Sequence, residues 1–259
     1  VIDLHTHVLP GIDDGPRGVT ESIALCGAQH AAGVRTVVAT PHVSRRYPND
    51  ADGIARRLTE LQEALCAQGA AAVELVAGAE VASELVGELG GEELRRLALA
   101  GRSWLLLEPP LQGSAAHLEL VVDELQRIGL QVLLAHPERC AAFHRDRRLL
   151  ERLVDRGARC SLTAGSLVGT FGRAVERFAA ELAAEGFAHT VASDAHDTGP
   201  RSPGLREPLR AAGLESVCGW LTEEAPARVL AGEELPARVH VPGIARRGAR
   251  RRLLPFIRR

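Results

Sequence analysis

The chain has 259 residues, 46% of them apolar and only 3% aromatic, enough to bury a sizeable core built from Leu, Val and Ala. Net charge is −2, but residues 246–259 hold seven Arg and no acid, so the rest of the chain sets 24 Arg against 33 acids and carries −9. That acidic body excludes general nucleic-acid binding, which needs a basic footprint, and no apolar stretch reaches the ~18 residues of a membrane span.

Apolar, strand-like runs begin near Val1, Val34, Val73, Ser103, Gln131, Arg159 and His189. They are short and alternate poorly, as expected of parallel strands covered on both faces. Helical stripes lie between them: Ile54, Leu58, Leu61 and Leu65 in one, Leu118, Val122 and Leu125 in another. Gly33, Gly69, Gly101, Gly129, Gly157 and Gly186 each stand just before a strand, where a helix stop is needed. Strand, helix, Gly, strand is the pattern of repeated βα units, and seven of them point to a closed or nearly closed α/β barrel. An open doubly wound sheet is the alternative; it would gather ligands at one switch point rather than at nearly every strand end. After residue 200 the rhythm breaks, and segments 204–212 and 225–230 read as short helices covering the barrel. The division expected is one domain over residues 1–236 and an Arg-rich tail over 237–259. That tail is either solvated or drawn to an acidic partner or anionic lipid, a peripheral association without a transmembrane segment.

The five cysteines (Cys26, Cys66, Cys140, Cys160, Cys218) have no Cys-x-x-Cys spacing and read as small buried apolar residues. The first strand begins at once, with no signal peptide before it, so a reduced cytoplasm is the expected compartment.

Six of the seven runs end in His, Asp or Glu. The first ends at His5-Thr6-His7, the second at His42, the third at Glu80, the fourth at Glu108, the fifth at His136 and the seventh at Asp194-Ala195-His196. Only the sixth, near Ser161-Leu162-Thr163, lacks a strong ligand. His-x-His and Asp-x-His at a strand end aim two side chains at one point. Barrels of this kind carry their chemistry on the C-terminal rim of the strands, so eight ligands converge there. The first loop, Gly11-Ile12-Asp13-Asp14-Gly15-Pro16, adds Asp14, with Asp13 as its competitor; either could instead cap the following helix. Burying four carboxylates together without cations would be costly, and bound metal reverses that sign. Nine nitrogen and oxygen donors exceed what one ion needs. They imply two or three ions of the Mn²⁺, Fe²⁺ or Zn²⁺ kind, with Mg²⁺ also possible.

These residues resemble the polymerase-and-histidinol-phosphatase superfamily, and within it the bacterial metal-dependent protein-tyrosine phosphatases of capsule and exopolysaccharide loci. The resemblance covers residues 1 to about 203. It is carried by Ile2-Asp3-Leu4-His5-Thr6-His7, Asp13-Asp14-Gly15-Pro16, Gly33-Val34-Arg35-Thr36, Gly78-Ala79-Glu80, Ala135-His136-Pro137-Glu138-Arg139 and Ala192-Ser193-Asp194-Ala195-His196. It implies a distorted, TIM-like (β/α)7 barrel and a trinuclear site, usually loaded with manganese. His5, His7, Glu80 and Asp194 would hold one ion, Glu80, Glu108 and His136 a second, and Asp14, His42 and His196 a third. Arg139 and Arg201 match the phosphate-binding arginines, a geometry guanidinium suits. His42 or His196 would assist the leaving phenolate, and Arg45, Arg46 and Tyr47 would line the entrance. The implied reaction is hydrolysis of a phosphomonoester by metal-activated water, on a phosphorylated tyrosine kinase of polysaccharide synthesis or another phosphotyrosine protein. The competing readings are a small-molecule phosphatase of the histidinol-phosphate type and a non-catalytic metal-binding partner of the kinase. A nuclease is disfavoured by the acidic body. A cysteine phosphoenzyme is excluded, because no Cys-x5-Arg loop exists: Arg145 follows Cys140 one position too early.

Overall fold

The structure, a computed structural model, describes residues 1–69 and 73–241. The strands in chain order are β1 (Ile2–Thr6), β2 (Thr36–Ala39), β3 (His42–Val43), β4 (Glu74–Ala77), β5 (Glu80–Ala82), β6 (Trp104–Glu108), β7 (Gln131–Ala135), β8 (Arg159–Thr163) and β9 (Thr190–Ala192). The helices are α1 (Val19–Ala31), α2 (Ala51–Ala67), α3 (Gly91–Arg96), α4 (Leu118–Arg127), α5 (Ala141–Arg145), α6 (Arg147–Asp155), α7 (Arg173–Ala184), α8 (Arg206–Ala211) and α9 (Ala225–Ala231). It is a mixed α/β fold with two parallel sheets, β1-β2-β4 and β3-β5-β6-β7-β8-β9.

Each of the seven expected runs contains a strand, but the second and third are each split. Thr40-Pro41 separates β2 from β3, and Pro41 has no N–H to give the ladder. Gly78-Ala79 separates β4 from β5; a Cβ on Gly78 would lie 2.8 Å from Leu99 and 2.9 Å from Val38, so only glycine fits there. Hydrogen bonds continue across both breaks, from Thr40 N to Thr6 O and from Glu80 N to Pro41 O. At the other margin, His7 N donates to Ala195 O and Asp194 N to His5 O, beside a parallel bridge between Thr6 and Ala195.

The large apolar core lies between strands and surrounding helices, where α2 buries Ile54, Leu61 and Leu65, and α4 buries Leu118, Val121, Val122 and Leu125. Gly33 and Gly129 follow α1 and α4 with φ of +86° and +84°, the left-handed stop that lets the chain turn into the next strand. A second cluster joins Leu4, Val38, Trp104, Leu106 and Leu133 from the strands to Ala225 and Val229 of α9 and to Leu235. The Trp104 indole donates to Glu233 O at 2.9 Å. The segment read from sequence as a covering helix thus closes one end of the strand array.

Residues 237–241 also pack at that end. Val239 N donates to Gly186 O, Arg238 lies over the Phe187 ring, and Val239 and Val241 are buried. Residues 242–259, most of the expected Arg-rich tail, lie outside the described residues.

His189, fully buried, ties this segment to β8. Its Nδ1 accepts from Cys160 N at 2.9 Å, so Nε2 carries the proton and donates to Ala237 O at 3.1 Å. Burial pushes its pKa down to about 3. The unfolded imidazole titrates near 6.5, so below that pH the unfolded chain binds a proton the folded one refuses. Stability through this group is intact above 6.5 and falls with pH, by about 2 kcal/mol at pH 5. His189→Gln removes this dependence; denaturant midpoints of both proteins at pH 7 and pH 5 check it, and equal pH losses in the two would refute it.

Candidate metal centre

All nine residues expected as ligands stand together: His5, His7, Glu108, His136, Asp194 and His196 at or just past strand C-termini, His42 and Glu80 where β3 and β5 begin, and Asp14 in the first loop. Their hub is Glu80, at the start of β5 and fully buried. Its Oε2 lies 3.1 Å from His5 Nε2, 3.3 Å from His7 Nε2 and 3.0 Å from His42 Nδ1; its Oε1 lies 2.8 Å from His136 Nε2. Asp194 Oδ1 is 3.5 Å from both His5 Nε2 and His7 Nε2. Those two ring nitrogens face each other at 3.1 Å. Beside them, Asp14 Oδ1 is 3.2 Å from His196 Nε2 and 3.5 Å from His42 Nε2. Glu108 Oε2 is 3.7 Å from His42 Nδ1, and its Oε1 is 4.0 Å from His136 Nε2.

The donors fall into three overlapping groups: His5, His7 and Glu80; His42, Glu80 and Glu108; and His7, Asp14, His42 and His196. These groups differ from the expected division: Asp194 is absent from the first, His42 stands where His136 was expected in the second, and His7 joins the third. His42 stands between two groups, with one ring nitrogen toward Asp14 and the other toward Glu80. Tetrahedral donors at bonds of ~2.1 Å would lie ~3.4 Å apart, the spacing seen around His5, His7, Glu80 and Asp194. Glu80 Oε2 and His196 Nε2 are buried without a hydrogen-bond partner. Facing nitrogens, clustered carboxylates and orphaned acceptors together fit divalent ions.

The electrostatics point the same way. Burial opposes charge on Glu80, yet His5, His136 and His42 hold its carboxyl well below its ordinary value. Burial and the adjacent Glu80 charge push Glu108 up to about 8. Burial works against a charge on His7, but hydrogen bonds with Asp13 and Glu80 outweigh it and raise the pKa to about 10. Burial drives His136 down to about 4. Neighbouring groups pushed in opposite directions mark a charge-crowded site.

The first loop resolves its two aspartates. Asp14 faces the cluster, whereas Asp13 lies behind it. Asp13 Oδ2 accepts from His7 Nδ1 at 2.7 Å and from His42 N at 3.2 Å, and its Oδ1 accepts from Gly15 N at 2.9 Å. This fixes which His7 nitrogen faces Glu80, as outer carboxylates do for metal-ligating histidines.

Asp3 lies in the opening phrase but is not among the expected ligands. It is buried and accepts from Ser193 N, Ser193 Oγ and Gln29 Nε2, tying β1 to β9 and α1. Gln29 also meets Thr6, three residues along, because a register shift between Asp3 and Thr6 interrupts strand alternation. Asp3 precedes His5 by two in the opening phrase, but the bulge itself leaves no sequence signal. His136 and Asp194 have φ of +30° and +53°. Left-handed backbone at a non-glycine residue costs about 1–3 kcal/mol and gathers at functional sites.

The two expected phosphate arginines converge on one atom: Arg139 Nη1 and Arg201 Nη2 donate to Asp194 Oδ2 at 2.6 and 2.7 Å. Arg139 also lies over the Phe171 ring at 4.4 Å, a partner without any sequence signal. Both arginines line a cavity of about 250 Å³ with Asp14, His42, Glu80, Glu108 and His136. Arg46 and Tyr47 also line it, and Tyr47 stacks on His42 at 5.6 Å. Arg45 does not; it is exposed and pairs with Glu88. None of the five cysteines lines this cavity: Cys26, Cys140 and Cys160 are buried, and burial pushes Cys26 and Cys160 up to about 12.

Gly15 has no room for a side chain, because a Cβ would collide with the His7 carbonyl oxygen. Gly15→Ala must displace the Asp13 turn and destabilise the fold by about 1–3 kcal/mol. An unchanged midpoint in denaturant unfolding would show that the turn yields freely.

The model of the family described as "Capsular polysaccharide synthesis, CpsB/CapC" matches residues 1–216. Tyrosine-protein phosphatase YwqE of Bacillus subtilis (strain 168) is 32% identical over 212 residues, 81% of this chain and 82% of its own length. Putative tyrosine-protein phosphatase CapC of Staphylococcus aureus is 31% identical over 199 residues, 76% and 77% of the two chains. Among solved structures, one described as "Crystal structures of YwqE from Bacillus subtilis and CpsB from Streptococcus pneumoniae, unique metal-dependent tyrosine phosphatases" superposes with a TM-score of 0.81. It is 27% identical, over 92% of this chain and 98% of that one. A phosphotriesterase from Mycobacterium tuberculosis, 13% identical and covering 90% and 94% of the two chains, shares the fold at a TM-score of 0.56. With a family match over residues 1–216 and a relative above 30% identity across four-fifths of its length, this chain belongs to the CpsB/CapC family of capsular polysaccharide synthesis.

Proposed function

We propose that this protein is a metal-dependent protein-tyrosine phosphatase that acts on a phosphorylated tyrosine kinase, or another phosphotyrosine protein, of bacterial polysaccharide synthesis. The observation that carries the reading is the pairing of Arg139 and Arg201 in the wall of a cavity whose floor is the His–Glu–Asp cluster. The relatives' names supply the tyrosine specificity.

The nine donors would hold two or three ions, grouped about Glu80. Manganese is the ion favoured, with Fe²⁺, Zn²⁺ and Mg²⁺ as competitors; the donor types alone do not choose. Bound there, divalent ions supply Lewis acidity that makes water nucleophilic at neutral pH and draws off phosphate charge. The protein's own part is to bind and orient. Arg139 and Arg201 exchange an oxygen of Asp194 for phosphate oxygens and hold the ester for in-line displacement. Asp13 keeps the His7 tautomer, and Tyr47 and Arg46 frame the entry. Of the two histidines considered for the leaving phenolate, His42 lines the central cavity and His196 does not, which favours His42.

The strand connections support a seven-strand, TIM-like barrel, with β2/β3 and β4/β5 each counted once and β9 meeting β1. The packing of residues 237–241 supports counting them with the domain over 1–236 rather than with the expected tail. Among the described residues, no helix is long and apolar enough to cross a membrane. A cytoplasmic setting rests on the five free thiols.

Turnover of a phosphotyrosine peptide and of histidinol phosphate, measured side by side with Mn²⁺ and after chelation, tests the reading. Hydrolysis of the peptide, lost on chelation and in a folded His136→Ala variant, is expected; activity on histidinol phosphate alone, or surviving full demetallation, overturns it. Asp13→Asn should weaken metal binding by about 10–100-fold, and titration calorimetry showing native affinity would remove Asp13 from its positioning role.

A further inference from the structure

A second cavity, of about 220 Å³, opens between the turn at 164–172 and residues 200–208, which run into the start of α8. Val168, Phe171, Pro200 and Pro203 supply its apolar lining; Thr170, Ser202 and the Glu207 carboxylate also line it, and Asp194 and Arg201 line both this cavity and the central one. Val168 is 44% exposed, one of three large apolar side chains so exposed among the described residues. The walls are preformed. Gly169 and Gly172 take φ of +83° and +92° at the turn's end, and a Cβ on Gly165 would crowd Thr170 at 3.1 Å. Phe171 is fixed beneath the Arg139 guanidinium.

On the proposed phosphatase reading, which this inference deepens, the phosphate is gripped by Arg139 and Arg201. The substrate backbone is then left at the cavity rim. A side chain one or two positions from the phosphotyrosine projects a few ångströms along an extended chain, which carries it across the Arg201 wall. We propose that the 164–172/200–208 cavity is a specificity subsite that takes an uncharged, apolar side chain flanking the phosphotyrosine in an extended peptide. Protein substrates would be distinguished there from small phosphomonoesters, which have nothing to place in it.

Free phosphotyrosine, Gly-Leu-phosphoTyr-Leu-Gly and Gly-Gly-phosphoTyr-Gly-Gly serve as probes with the metal-loaded full chain. The native protein should favour the leucine peptide by about tenfold in kcat/KM over the glycine peptide. Val168→Glu should abolish that preference while turnover of free phosphotyrosine stays unchanged. Leu120→Glu, at an exposed position on α4, should keep it. Equal kcat/KM for the two peptides in the native protein, or a matching loss on free phosphotyrosine in Val168→Glu, overturns the subsite. No turnover of any of the three probes by the native protein overturns the phosphatase reading itself, a result distinct from loss of the preference.

Discussion

The burial of Glu80 is the constraint on which the site depends. Its carboxylate is removed from water and approached within 3.3 Å by nitrogens of four histidines from three different strands. A carboxylate in such a place is tolerable only with positive charge around it, since desolvation alone costs several kcal/mol. Histidines from β1, β3 and the end of β7 meet that need, and divalent ions would meet it better. The backbone serves the same end. His42 and Glu80 are register partners in β3 and β5, and Gly78, pressed against Leu99 and Val38, lets the chain turn inward just before Glu80.

Around that hub the molecule is layered. The cluster built on Trp104 and Leu106, sealed by α9, fills one end of the strand array. Polar side chains crowd the other end, held from behind by Asp13 on His7 and by Asp3 on Ser193. Left-handed backbone at His136 and Asp194 places strain where the strands stop and the site begins.

Much of this was legible in the chain because buried parallel strands leave near-continuous apolar runs, and because His, Asp and Glu recur where those runs end. Val132 to Ala135 followed by His136, and Leu105 to Leu107 followed by Glu108, are strands that announce their own termini. The breaks at Thr40-Pro41 and Gly78-Ala79 were harder to read, since pairing across them depends on neighbouring strands. The bulge in β1 lets Asp3 and Thr6 both reach Gln29, a contact made across 23 to 26 residues of chain. The separation of Asp14 from Asp13 likewise depends on where His7 lies, and adjacent identical residues cannot carry that information. The convergence of both arginines on Asp194, and of Phe171 on Arg139, belongs to tertiary structure alone.

The thiols bear on how such an enzyme meets oxidants. Phosphatases that attack through a thiolate are silenced when that sulfur is oxidised, because the low pKa that makes it nucleophilic also makes it vulnerable. Here Cys26, Cys140 and Cys160 are buried, with burial raising all three, and the exposed Cys66 lies at the end of α2, away from the cavity lining. No cysteine lines the cavity, so peroxide finds no sulfur nucleophile there to disarm. The sensitivity of such an enzyme moves from the redox state of a side chain to the supply of metal.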